Sequence, residues 1–131
     1  MSKNLNILLI EDDNDDIELL QDALRDNHVD FRMQVIKDGG EVAAYLEKKQ
    51  DIPDIIVMDL NLPKVHGRDI LKSIRASDGF GHVPIIILTT SSSKSDMDYT
   101  YKEGASRYLI KPTTSQGFKD VVQTIQEHVK D

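Results

Sequence analysis

Three four-residue aliphatic runs recur along the chain: Ile7-Leu8-Leu9-Ile10, Ile55-Ile56-Val57-Met58 and Ile85-Ile86-Ile87-Leu88. Unbroken apolar runs of this length predict strands covered on both faces, as in the middle of a parallel sheet. Phe31-Arg32-Met33-Gln34-Val35 instead alternates strictly, so only one of its faces is expected to be buried, and Tyr108-Leu109-Ile110 is short. Both predict sheet edges. Between these runs the apolar spacing becomes helical. Ile17, Leu20 and Leu24 share a face, as do Ile70, Leu71 and Ile74, while Phe118, Val121, Val122, Ile125 and Val129 form the most regular stripe. Asn14 is the expected N-cap of the first helix, with Asp15 and Asp16 in its first turn. Gly104 suits the C′ position of a helix ending near Glu103.

Five strands alternating with five helices predict an α/β fold, a doubly wound (βα)5 three-layer sandwich. Three buried and two edge strands joined by right-handed crossovers fit a parallel sheet in the order 2-1-3-4-5. In such a sheet ligands bind beyond the carboxyl ends of the strands, at the switch point between strands 1 and 3. The 131 residues suit a single domain, 1–131. The last helix is expected to reach almost to Lys130-Asp131, so no output domain is expected.

Composition narrows the chemistry. There are no cysteines, so a disulfide scaffold, a thiolate metal site and a cysteine nucleophile are all excluded. Sixteen basic against 23 acidic residues leave a net charge of −7. That balance argues against nucleic acid or an anionic membrane as partner. The polar start, Met1 to Asn6, is followed by an apolar run too short for a secretory segment or a span, so a cytoplasmic location is expected.

The strand ends carry the candidate chemistry. The first strand ends in Glu11-Asp12-Asp13, the third in Asp59, the fourth in Thr89-Thr90 and the fifth in Lys111-Pro112. Carboxylates gathered this closely either rise in pKa or hold a cation. A few carboxylates, a carbonyl and several waters make the ligand set that Mg²⁺ prefers. Asp59 can attack a phosphoryl group if metal and ammonium neutralise the gathered charge, giving an acyl phosphate. Asp15 and Asp16 read as a solvated acidic turn that caps the first helix.

Taken in order and spacing, these pieces resemble the receiver domain of bacterial two-component response regulators. The resemblance rests on Glu11-Asp12, on Met58-Asp59-Leu60-Asn61-Leu62-Pro63 with Gly67, on Leu88-Thr89-Thr90-Ser91, and on Gly104-Ala105 with Tyr108 and Lys111-Pro112. It implies that Asp59 accepts a phosphoryl group from a phosphohistidine. It implies that Glu11, Asp12, Asp59 and the Asn61 backbone carbonyl hold Mg²⁺. Thr89 and Lys111 are then expected to contact the phosphoryl oxygens, and Tyr108 to change rotamer with Thr89. The implied partners are a sensor histidine kinase or phosphotransfer protein, and a target or second copy on the face of helix 4, strand 5 and helix 5. Such a domain catalyses only its own phosphorylation and dephosphorylation. A narrower likeness, through Asp16, Lys37-Asp38-Gly39, Tyr45-Leu46 and the Leu-Thr-Thr-Ser string, is to small receivers paired with phytochrome-type kinases. If the first strand ran one residue further, Asp12-Asp13 would replace Glu11-Asp12.

Other readings stay open at this point. An aspartate-nucleophile phosphatase would use a second Asp where Asn61 stands. A flavodoxin-like electron carrier would bring aromatic residues to a flavin, and could use Ser91-Ser92-Ser93 with Lys94 as a phosphate cradle. A receiver-like binding module would act without phosphorylation. His66 reads as an exposed loop histidine. Tyr99 and Tyr101, two apart on a helix, cannot both be core, which leaves one for a partner.

Overall fold

The computed structural model describes residues 4–48, 52–63 and 65–129. The chain ends, including the expected stop of the last helix at Lys130-Asp131, lie outside the described residues. The strands are β1 (Leu5–Ile10), β2 (Phe31–Ile36), β3 (Ile55–Met58), β4 (Ile85–Thr89) and β5 (Arg107–Ile110). The helices are α1 (Asn14–Asp26), α2 (Val42–Glu47), α3 (Gly67–Ala76), α4 (Lys94–Lys102) and α5 (Ser115–His128). A 3₁₀ turn at Gly39–Glu41 leads into α2. All strand pairs are parallel and the order is β2-β1-β3-β4-β5, the order expected from the apolar runs.

Side chains alternate across the sheet and feed two cores. Leu8, Ile10, Ile56, Met58, Ile85 and Ile87 face α2 and α3, meeting Leu46, Ile70, Leu71 and Ile74. Ile7, Leu9, Ile55, Val57, Ile86 and Leu88 face α1 and α5, meeting Leu20, Leu24, Val122 and Ile125. All three central strands are therefore buried on both sides, whereas β2 alternates between half-buried and exposed. The helices are not equally anchored. In α3, Leu71 and Ile74 are fully buried, but in α4 only Thr100 is, and its hydroxyl donates back to the Asp96 and Met97 carbonyls.

Register brings the strand ends level. Ile10 lies opposite both Ile36 and Met58, and Met58 opposite Ile87. The ladder continues past the strands: Glu11 N–H donates to Ile36 O at 3.0 Å, Asp59 N–H to Ile10 O at 3.0 Å, and Lys111 N–H to Thr89 O at 2.8 Å. At the edge of the sheet, Tyr108 N–H turns away from β4 and donates to the Tyr101 hydroxyl of α4 at 3.0 Å.

One helix end differs from expectation, and the exposed loop histidine His66 gains a local role. The N-cap of α1 is Asp13, not Asn14, because the extended Asp13 backbone lets its carboxylate accept from the N–H groups of Asp15 and Asp16 at 2.9 and 3.1 Å. His66 caps α3, its Nδ1 accepting from Arg68 N–H at 3.1 Å. Gly104, at φ 103°, closes α4 as expected.

Near the opposite end of the sheet, Arg75 of α3 ties three segments together. Its guanidinium donates to Val83 O at 2.7 Å, Phe80 O at 3.0 Å and Gly104 O at 2.6 Å. Arg75→Met should cost about 1.5–3 kcal/mol in chemical denaturation, the range for losing hydrogen bonds to a charged group. A loss below about 0.5 kcal/mol, the size of an ordinary surface substitution, would show that water replaces them freely.

Candidate functional site

Strand ends β1, β3 and β5 converge on one ammonium. Lys111 Nζ stands 2.8 Å from Glu11 Oε1, 2.7 Å from Asp59 Oδ2 and 2.7 Å from Asp16 Oδ2. A lysine has three N–H donors, so all three are engaged. Burial alone would lower the Lys111 pKa, but its hydrogen bonds to Asp16, Asp59 and Glu11 outweigh this and raise it. Glu11 moves the other way from an ordinary ion-paired acid. Burial pushes its carboxyl up to about 7, with Asp59 adding repulsion and Lys111 opposing. Desolvation thus outweighs the ion pair at Glu11, while Lys111 stays charged.

The surrounding groups are placed by the same strand ends. Asp59 is 5% exposed, and its Oδ1 accepts from Asn61 N–H at 3.1 Å. Thr89 is fully buried at the end of β4 and Thr90 is exposed. The Asn61 side-chain amide lies 3.5 Å from both hydroxyls, a long contact. Tyr108 is buried with its hydroxyl donating to Ser91 O at 2.8 Å. Behind Asp59, Gly67 packs where a Cβ would fall 2.6 Å from Leu60 Cα, so only glycine lets α3 approach that loop so closely.

Every predicted site residue lies at this end of the sheet. Glu11, Asp12, Asp59, Asn61 and Lys111 line one polar cleft of about 520 Å³, with Thr90 at its rim. Thr89 and Tyr108 sit just behind it. β1 ends at Ile10, so Glu11 and Asp12 directly follow the strand, while Asp13, which also lines the cleft, caps α1.

The donors are all oxygen and acidic, which suits a hard divalent cation. Among the described residues, however, no three acidic or histidine side chains are arranged to hold a metal ion as they stand. Glu11 and Asp59 are turned onto Lys111 instead, and Asp12 is exposed at the mouth. The donor chemistry fits Mg²⁺, and binding it requires these carboxylates to share themselves between ion and ammonium.

Asp16 is the residue that sequence reasoning misplaced. It is no solvated turn residue, for it closes on Lys111 from α1. The signal was present: Asp16, Leu20 and Ala23 follow the i, i+4, i+7 spacing of the buried face. Ser91-Ser92-Ser93 serves local structure. Ser93 caps α4 by accepting from Asp96 N–H at 3.3 Å, and Ser91 donates to the Asp96 carboxylate at 2.8 Å. Neither Tyr99 nor Tyr101 is core; Tyr101 is 45% exposed and Tyr99 stacks under Arg68.

Fold and site together place an acidic cleft closed by one lysine at the carboxyl edge of a doubly wound sheet. The response regulator receiver domain model matches residues 7–123, and the chain belongs to that family of signalling proteins. It is 32% identical over 125 residues to response regulator Rcp1 of Synechocystis sp., covering 92% of this chain and 83% of that protein. Among solved structures, the phosphorylated cyanobacterial phytochrome response regulator RcpA superposes with a TM-score of 0.85 at 32% identity, covering 95% of this chain and 93% of that one. The Mn²⁺-bound form of Rcp1 superposes at 0.82 with 30% identity, covering 94% and 92%. Among the described residues no helix is long and apolar enough to cross a membrane.

The cap assignment is testable. Asp13→Ala should cost about 1 kcal/mol of unfolding free energy. Asn14→Ala should change it by no more than about 0.5 kcal/mol, as at an ordinary surface position. Equal losses would return the cap to Asn14.

Proposed function

We propose that this protein accepts a phosphoryl group on Asp59 from the phosphohistidine of a sensor histidine kinase or phosphotransfer protein, and thereby switches a protein-binding surface. The observation that carries this reading is Lys111 Nζ bridging Glu11 and Asp59 at 2.8 and 2.7 Å, beside a cleft open to a donor. An Asp59 carboxylate oxygen attacks phosphorus as the P–N bond breaks, and the bond pair leaves on the donor imidazole. Lys111 neutralises charge on the phosphoryl oxygens, and the Asn61 N–H keeps Asp59 aimed at the cleft. Mg²⁺ held by Glu11, Asp12, Asp59 and the Asn61 backbone carbonyl would supply further charge neutralisation. The Mn²⁺-bound form of Rcp1 supports a divalent ion here, and RcpA, a phytochrome response regulator solved phosphorylated, supports phosphorylation and a phytochrome as the sensor. We assign no other catalysis to the chain beyond its own phosphorylation and dephosphorylation.

The output follows from the strand neighbours. Thr89 and Tyr108 sit on adjacent strands, and α4 connects them along the chain. Drawing the Thr89 hydroxyl toward a phosphoryl group on Asp59 biases the packing of Tyr108 and with it the face of α4, β5 and α5. We infer that this face carries the downstream target or a second copy of the chain.

Intact mass after acetyl phosphate with Mg²⁺ should rise by about 80 Da, one phosphoryl group, and Asp59→Asn should abolish the gain. An undiminished gain in that variant would sink the assignment. Thermal stability should rise with Mg²⁺, because a ligand that binds only the folded state stabilises it, and Asp12→Ala should lose that response. Thr89→Ala should still be phosphorylated but bind its partner less tightly when phosphorylated. Amide exchange with a phosphoryl mimic should change between residues 89 and 129; changes confined to α1 and α2 would move the output face elsewhere.

A further inference from the structure

We infer that the Arg68–Asp96 ion pair latches the β4–α4 loop, and that Asp96, acting through Ser91, is a positioning residue for Tyr108 and Thr89. The inference rests on the proposed role of those two residues as the switch, but its first readout needs no phosphorylation.

The helices α3 and α4 are unequally anchored. Helix α3 is fixed in the core by Leu71 and Ile74, whereas α4 buries only Thr100. At the start of α4 only the half-buried Met97 packs on the core, so polar contacts share in setting where it sits. Asp96, in its first turn, makes them with both oxygens. Oδ1 accepts from Arg68 Nη2 at 2.6 Å and Nε at 3.2 Å, and Arg68 comes from the first turn of α3. Oδ2 accepts from the Ser91 hydroxyl at 2.8 Å. Ser91 in turn presents two backbone groups to the switch. Its carbonyl accepts from the Tyr108 hydroxyl at 2.8 Å, and its N–H lies 3.4 Å from Thr89 Oγ1. A single carboxylate thus fixes the residue that both switch side chains use.

The pair has the environment such a role needs. Its side chains are 32% and 20% exposed, and Arg68 also stacks over the Tyr99 ring at 4.7 Å. Arg68 and then Ser91 hold the Asp96 carboxyl below the usual range. The other ion pair of α4, Lys94–Asp98, is 3.7 Å long with side chains 88% and 69% exposed. Exposed pairs of that kind contribute little, which makes Asp98 a built-in control. Without Asp96, the Ser91 carbonyl is free to turn, and the buried Tyr108 hydroxyl loses its acceptor. The inward Tyr108 arrangement is then less favoured. By linkage, a ligand on Asp59 that prefers that arrangement binds less tightly.

The test labels the tyrosines with 3-fluorotyrosine and follows Tyr108 by fluorine NMR, assigned with Tyr108→Phe. Beryllofluoride with Mg²⁺ serves as the phosphoryl mimic. Asp96→Ala should move the Tyr108 signal toward a solvent-exposed position without the mimic, and weaken beryllofluoride binding about 5-fold or more, the lower range of typical site-to-site coupling. Arg68→Ala should act in the same direction. The double variant should be no worse than Asp96→Ala alone, because the two residues act as one unit. Asp98→Ala should leave both readouts in place. Should Asp96→Ala fail to fold, Asp96→Leu, which fills the space but accepts from neither Arg68 nor Ser91, is read in the same way. The latch is overturned if Asp96 variants lose thermal stability while the Tyr108 signal and mimic affinity stay put, or if the two substitutions add independently. Failure of the parent protein to bind beryllofluoride would instead remove the reading of Asp59, and the Tyr108 signal would still decide the latch.

Discussion

A single ammonium, that of Lys111, is what allows the end of this sheet to exist in its observed form. It meets Glu11 and Asp16, which flank the β1–α1 connection, and Asp59 beyond β3, segments remote from residue 111 that the strand order 2-1-3-4-5 brings to it. Two of those acids, Glu11 and Asp59, are buried, and isolated buried carboxylates are strongly unfavourable. The cation compensates only part of the cost. Glu11 still has its carboxyl pushed up to about 7 by burial. Separately, three carboxylates face one ammonium, an imbalance of charge that a divalent cation would relieve.

Rigidity and compliance are divided around that centre. The central strands are covered on both faces by close-packed aliphatic side chains, so the backbones carrying Glu11, Asp59 and Thr89 have little freedom. Helix α4 lies beside them with a lighter anchor, the buried Thr100 and the half-buried Met97. Chemistry at the strand ends is thus performed on a stiff frame, while the neighbouring helix is free to respond to it. Elements that move are drawn from the weakly packed end of a fold, and here that asymmetry lies in one sheet and one adjoining helix.

Much of this was legible in the residues. The continuous aliphatic runs identified the doubly covered strands, and the alternation in β2 identified an edge, because burial on one or two faces leaves a direct imprint on sequence. The positions of Glu11, Asp12, Asp59, Thr89 and Lys111 followed from where those runs stop. What escaped were residues whose role depends on a third dimension. Asp16 belongs to the same acidic stretch as Asp13 and Asp15, yet it alone turns inward to an ammonium supplied from residue 111. Asp13 rather than Asn14 caps α1, a choice decided by which backbone is extended. Nothing about Arg68 or Asp96 marks them as partners, since both residue types are common on helix surfaces and their meeting depends on how α3 and α4 cross.

The Tyr101 hydroxyl, resting on the outward N–H of Tyr108, changes what the free edge of the sheet can offer. An exposed edge strand is a template on which another chain can add itself through backbone hydrogen bonds. Here one of the donors such a strand would need is already taken by a phenol from the same molecule. A visitor to β5 finds side chains, among them the exposed Ile110 and the ring of Tyr101, rather than an open ladder. Recognition at this edge is thereby steered toward the identity of residues, and away from the indiscriminate pairing that leads to aggregates.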